Sequence, residues 1–174
     1  RVSEVGLPIF LDLKFHDIPN TVAGAIRAVA PLAPRILTIH TQGGPEMMRR
    51  AADAAREEAD KHGVVKPSIV GVTILTSLDG ADLNAIGVND AVSDQVARLA
   101  ALAADNGLDG MVCSPKEIAT ARTVTRPDFK LVVPGIRPVG AAVGDQKRVM
   151  TPADAVKEGA DVLVIGRPIT QADD

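Results

Sequence analysis

Six short runs rich in β-branched and other apolar residues recur along the chain, at residues 8–14, 36–40, 68–75, 110–113, 130–133 and 161–165, each bounded by Gly, Pro, Asn or Asp. Longer stretches of helical periodicity separate them. The runs are continuously apolar, not alternating, so they are expected to be strands buried on both faces, as in a parallel sheet covered by helices.

The intervening stretches carry helix punctuation. Ser114-Pro115-Lys116-Glu117 is a capping box with Pro at the first helical position, where its missing N–H costs nothing, and Thr151-Pro152-Ala153-Asp154 repeats the arrangement with Asp for Glu. Over residues 90–106, Val92, Val96, Leu99 and Ala103 form one apolar stripe, and Gly107 suits a left-handed stop. Residues 45–62 are Ala-rich and end at Gly63, while 20–30 place Val22, Ile26 and Val29 on one side behind a cap candidate, Asn20. An internal echo supports a repeating strand-then-helix unit: Gly107-Leu108-Asp109 and Gly159-Ala160-Asp161 both close a helix and lead into an apolar run.

Such a pattern leaves two architectures, a doubly wound open sheet or a (β/α)8 barrel. No G-x-G-x-x-G follows the first run, which removes the main support for a dinucleotide-binding sheet. Run starts lie about 30 residues apart, and eight such units would need roughly 250 residues. With 174 residues, the chain is expected to be a single partial barrel domain over 1–174 with six parallel strands.

Composition narrows the function classes. A net charge of -3 and 2% aromatic residues, with no Trp or Tyr, speak against a nucleic-acid partner. One Cys cannot form an internal disulfide or a Cys-cluster metal site, which fits a reducing, cytoplasmic location. The apolar runs fall short of the roughly 18 residues needed to cross a bilayer, and no signal-peptide pattern opens the chain, so no membrane role is expected.

In parallel α/β folds ligands gather at the carboxyl ends of strands, and here those ends are polar. They read Asp12-Leu13-Lys14-Phe15-His16-Asp17, Thr38-Ile39-His40, Thr76-Ser77, Cys113-Ser114, Pro134-Gly135-Ile136-Arg137 and Gly166-Arg167. Asp12 and Lys14 are two apart on a strand and so share a face, with Asp17 within reach on the following turn. An Asp-Lys-Asp array stabilises a cationic lysine suited to giving a proton to a developing carbanion; the plainer alternative is an ion pair that closes a strand end. Gly166 allows close backbone approach and Arg167 offers a planar fork for phosphate. The Gly-rich connector 135–151 carries Arg137, Gln146, Lys147 and Arg148, and its plainer reading is a solvated loop. His40 is expected to be a hydrogen-bonded core histidine, His16 and His62 lack metal-ligand spacing, and Cys113 is expected to be a small buried hydrophobe.

The run Asp12-Leu13-Lys14-Phe15-His16-Asp17-Ile18-Pro19-Asn20-Thr21 resembles the signature of the orotidine 5'-phosphate decarboxylase family. Leu75-Thr76-Ser77, Pro134-Gly135-Ile136-Arg137-Pro138, Gly144-Asp145-Gln146 and Ile165-Gly166-Arg167-Pro168 extend the resemblance over nearly the whole chain. It implies a (β/α)8 barrel, a homodimer with active sites at the subunit interface, a nucleotide substrate, and no metal or organic cofactor. It also implies that Lys14 protonates C6 of the pyrimidine, that Asp12 sits beside the scissile carboxylate, and that Asp17 completes the charged network from the partner subunit. Ile18 and Thr21 would contribute to the neighbour's site, and the rest of the signature, Leu13, Phe15, His16, Pro19 and Asn20, would line the substrate. Thr76 and Pro134 would lie near the base, Arg137 and Gln146 on a loop closing over the phosphate, and Gly166 and Arg167 on the phosphate itself. Against that pattern the first two strands, with an Asp for the ribose and a further Lys, and the last helix have no counterpart here. The 174 residues by themselves are therefore expected to be inactive or poorly folded. A Mg2+-dependent sugar-phosphate decarboxylase or synthase of the same superfamily, and a phosphate-binding barrel remnant without catalysis, are the competing readings.

Overall fold

The computed structural model describes residues 6–138 and 149–172. Strands and helices alternate through the described chain: β1 (Phe10–Phe15), α1 (Pro19–Val29), β2 (Ile36–His40), α2 (Gly44–His62), β3 (Ser68–Val72), α3 (Gly80–Ala85), α4 (Val92–Asp105), β4 (Gly110–Val112), α5 (Ile118–Val124), β5 (Lys130–Val133), α6 (Pro152–Glu158), β6 (Val162–Leu163) and α7 (Arg167–Thr170). All six expected runs contain a strand, and the fold class is α/β with parallel strands, as expected. The chain forms two compact units, Arg1–Val72 with Leu102–Gly110, and Thr73–Ala101 with Met111–Asp174.

In the first unit β1, β2 and β3 pair in parallel, with β2 between the other two. The central strand is fully enclosed at Leu37, Thr38 and Ile39, and β3 from Ile69 onward. Helix α2 presents Met47, Met48 and a row of buried alanines, whose small side chains let α1 lie close through Val22, Ala23 and Ile26. β1 does not meet the expectation of burial on both faces: Asp12 and Leu13 are exposed, because among the described residues β1 pairs with β2 alone. β3 also stops at Val72 instead of running to Leu75, since β2 turns into a 3-10 turn at Thr41–Gly43 and offers no further ladder partner.

The second unit holds β5 beside β6, paired Val132↔Val162 and Val133↔Leu163, and the amide of Cys113 just past β4 donates to Val132 O. β6 is shorter and more exposed than its apolar run predicts, although the Val164 amide still reaches Val133 O at 2.9 Å. The Ser114 capping box forms, with Glu117 accepting from the Ser114 amide at 2.8 Å, but its first turn, Pro115–Glu117, is 3-10 before α5 begins. Thr151 caps α6 as expected. α3 was not anticipated, though Asp79 and Asp82 form a reciprocal box that marks its start. Helix α1 begins at Pro19 with Ile18 as its cap, two residues ahead of the Asn20 cap candidate, because Pro fits the first helical position without needing a donor.

The echoed Gly-x-Asp turns do the same job twice, once in each unit. Gly107 (φ 81°) and Gly159 (φ 107°) stop α4 and α6 in the left-handed region that other residues enter only at a cost. Two residues later, Asp109 accepts from the Ile69 amide at 2.8 Å and from Lys66 Nζ at 2.6 Å. Asp161 likewise accepts from the Leu131 amide at 2.6 Å and from Arg122 at 2.7 Å. Each carboxylate thereby fastens the start of one strand to the strand before it. Asp109→Ala or Asp161→Ala is expected to lower unfolding free energy by about 1–3 kcal/mol in chemical denaturation, with Asn recovering part of the loss because its carbonyl still accepts from the amide.

Candidate active site

The carboxyl end of β1 departs from a regular strand. The ladder runs Phe10↔Ile36 and Leu11↔Leu37, then resumes at Phe15↔Ile39, so four steps of β1 face two of β2. Within this bulge Lys14 adopts φ 51°, a left-handed conformation costing a non-glycine residue roughly 1–2 kcal/mol. Strain of this kind persists where the surrounding contacts hold it. Lys14 Nζ donates to Asp12 Oδ2 at 2.5 Å, and both side chains remain more than a third exposed. The other carboxylate oxygen, Oδ1, accepts from Thr38 Oγ1 at 2.9 Å, and the same hydroxyl accepts from the Lys14 amide at 2.9 Å. A solvent-accessible ammonium is thus held against a carboxylate by a fully buried hydroxyl on the neighbouring strand.

Asp17 does not join this pair within the chain, contrary to the reach expected from spacing. Its Oδ1 accepts from the Ile18 amide at 2.6 Å, which turns the carboxylate toward the start of α1, and among the described residues it forms no ion pair with Lys14. Phe15 is half-buried; His16, Asn20 and Thr21 are exposed, as are Leu13 and Ile18, the last 67% exposed, while Pro19 is half-buried at the head of α1.

His40, at the end of β2, corrects a second expectation. Its Nδ1 is buried without a hydrogen-bond partner among the described residues, and its ring lies 5.4 Å from that of His16. Burial, then the nearby His16 and Lys14, push its pKa below the ordinary 6.5, with Asp12 opposing them. A depressed imidazole contributes stability that is complete above about 6.5 and lost as pH falls toward the folded value, because the unfolded chain takes up a proton the folded one refuses. Denaturation midpoints are therefore expected to drop as pH falls below about 6.5, and to drop less in His40→Gln.

The second unit carries the other candidates. Thr76 is buried in the turn after β3, and Pro134 is half-buried after β5. Gly135 O accepts from the Met150 amide at 3.2 Å and Met150 O from the Arg137 amide at 2.9 Å, an isolated parallel bridge Ile136↔Met150 that ties together the two ends of the connector. Arg137 also donates to Ile136 O. Gln146, with the Gly144-Asp145-Gln146 match and Lys147 and Arg148, lies outside the described residues. Gly166 and Arg167 are exposed, Gly166 as the residue before α7, and its Cβ position faces open space. Cys113 is buried, as expected. Among the described residues no three His, Cys, Asp or Glu side chains gather in a way that could hold a metal ion, and no helix is long and apolar enough to cross a membrane.

A lysine paired with a carboxylate at a strand end, on a chain that repeats strand and helix, accords with the sequence signature, and the likeness to known proteins is direct. The sequence model of the orotidine 5'-phosphate decarboxylase / HUMPS family matches residues 1–174. The chain belongs to this family. A curated relative from Paramagnetospirillum magneticum named orotidine 5'-phosphate decarboxylase is 57% identical over 173 residues, covering 99% of this chain and 74% of the relative. One of the same name from Rhodospirillum rubrum is 58% identical, covering 97% and 68%. The crystal structure of orotidine 5'-phosphate decarboxylase from Lactobacillus acidophilus superposes with a TM-score of 0.85 at 37% identity, over 99% of this chain and 72% of that one. Its six parallel strands thus belong to the (β/α)8-barrel fold of the decarboxylase family.

Thr38 is the residue that sequence reasoning passed over. It stood in a polar strand end, Thr38-Ile39-His40, but its contact with Asp12 joins residues 26 apart in the chain, and no local pattern encodes that.

Proposed function

We propose that the protein carrying this chain decarboxylates orotidine 5'-phosphate to UMP and CO2, a step of pyrimidine biosynthesis, with Lys14 delivering a proton to C6. The single observation that supports this most is the Lys14–Asp12 pair, set on a strained bulge and open to solvent. Loss of CO2 from C6 leaves a carbanion with little resonance relief, so the reaction needs a cation and a proton at that carbon. Lys14 supplies both. Asp12, by the family resemblance, stands beside the departing carboxylate and fixes the ammonium.

The remaining roles rest on the resemblance. Thr76 and Pro134 border the base, Arg137 and Gln146 belong to a loop over the phosphate, and Gly166 with Arg167 bind the phosphate, with Arg167 as a planar fork for its oxygens. Binding energy from a remote phosphate is well suited to organising the charged groups around the reacting ring. The protein works as a homodimer in which Asp17, with Ile18 and Thr21, serves the neighbouring site. Supporting this, the Asp17 carboxylate accepts from the Ile18 amide and, among the described residues, forms no ion pair with its own Lys14, and Leu13 and Ile18 offer exposed apolar surface for a second copy to cover. The buried single thiol of Cys113 fits a reducing cytoplasm.

The test, on the full-length protein that carries this chain, is the conversion of orotidine 5'-phosphate to UMP, followed by the change in pyrimidine absorbance, with and without a chelator. Turnover insensitive to chelator supports the reading. No turnover, or turnover that a chelator abolishes, would favour the binding-only or metal-dependent alternatives.

A further inference from the structure

We propose that Thr38 is a positioning residue for proton delivery, the element that fixes where the Lys14 ammonium stands. This rests on the reading of Lys14 as the proton donor. A hydroxyl has one hydrogen to give and two lone pairs to accept with. The Lys14 amide can only donate, so Thr38 Oγ1 accepts there, and its own hydrogen is committed to Asp12 Oδ1. Asp12 Oδ2 then takes Lys14 Nζ, and the contacts close into a ring that runs from the Lys14 amide through Thr38 and Asp12 back to the Lys14 side chain.

The register explains why such a ring is needed. Up to Leu11 every second residue of β1, Ile9 and Leu11, turns its backbone groups to β2, so in a regular ladder the Lys14 amide would face away from β2; the bulge between Leu11 and Phe15 brings it round. The Thr38 side chain supplies the acceptor for that amide and, with the same oxygen, aims the Asp12 carboxylate. Thr38 is fully buried, so water does not stand in for the hydroxyl. Its branched Cβ also limits the side chain to few rotamers, which keeps the oxygen in place without further support.

Thr38→Val preserves shape and removes the hydroxyl. Its kcat for orotidine 5'-phosphate is expected to fall about 10- to 100-fold with KM within about twofold of wild type, because the reacting groups are misplaced while the rest of the substrate still binds. Thr38→Ser restores kcat to within about threefold. Amide exchange at Lys14 gives a readout that does not depend on activity, and it is expected to speed up at least about tenfold in Thr38→Val and to stay slow in Thr38→Ser. Should the valine variant not fold, Thr38→Cys, close in size and a weak hydrogen-bonding group, is expected to show the same losses in smaller measure. Wild-type kcat and unchanged Lys14 exchange in the valine variant, or in the cysteine variant if valine does not fold, overturn the proposal. Absence of turnover in the wild type overturns the decarboxylase reading instead, and faster Lys14 exchange in Thr38→Val would still uphold the hydroxyl as the support of the bulge.

Discussion

Lys14→Ala is expected to lower the rate of UMP formation by about 10⁴-fold or more while UMP still binds with affinity within about tenfold of wild type. The loss is larger than that of an ordinary general acid because two functions leave together. The proton source disappears, and Asp12 is left as an uncompensated carboxylate where the substrate brings another negative charge. Lys14→Arg is not expected to rescue the rate, since a guanidinium keeps the charge but gives up its proton far less readily. Lys14→Gly separates chemistry from folding. It should be as inactive as the alanine variant, yet more stable by about 1 kcal/mol, because glycine enters the left-handed region at Lys14 (φ 51°) without the Cβ clash. A Lys14→Ala enzyme within tenfold of wild-type rate would end the lysine mechanism.

Mixing two dead variants is expected to restore activity. If Asp17 serves the neighbouring subunit, Lys14→Ala and Asp17→Ala are each inactive as homodimers, but a mixed dimer contains one site with both residues intact and one with neither. Random reassociation makes half the dimers mixed, so the mixture should recover about a quarter of wild-type activity after exchange of subunits. The geometry within one chain motivates the experiment, since the Asp17 carboxylate is bound to the Ile18 amide at 2.6 Å and not to Lys14. Recovery that fails to appear, when exchange is verified by size or mass labelling, would place Asp17 in its own subunit's site.

Much of this was legible in the chain itself because it depends on local rules. Ser114 and Thr151 bind the backbone a turn ahead of them, Gly107 and Gly159 supply the left-handed stops, and continuous apolar runs mark the parallel strands. The chemistry-bearing pair, Asp12 and Lys14, was legible for the same reason, being two residues apart. Strict alternation along a strand would place both on one face, but β1 is broken there by a bulge and by a positive φ, and the two groups meet through that distortion.

The misreadings share one cause, dependence on neighbours far away in sequence. β3 was drawn three residues too long because its end is decided by where β2 turns away, and β1 was read as enclosed because its neighbours could not be counted from its own residues. Spacing alone puts Asp17 within reach of its own Lys14, whereas the head of α1 offers its carboxylate a backbone amide; the partner-subunit role that the resemblance implies for Asp17 is untouched by this. His40 reads from sequence as a satisfied core histidine, whereas the fold buries its Nδ1 without a partner among the described residues and lays the ring near His16.

By itself the sequence determined the alternation of strand and helix, the caps and stops, the polar strand ends and the identity of the ionisable groups, all set by backbone stereochemistry and spacing along a few residues. Only the tertiary structure decided how those groups are held: the two-residue slip of β1 against β2, the left-handed lysine it produces, and the buried Thr38 hydroxyl that ties Lys14 to Asp12 across 24 and 26 residues of chain. Register between strands is fixed by packing and by hydrogen bonds between distant segments, which leave no periodic trace in either segment alone.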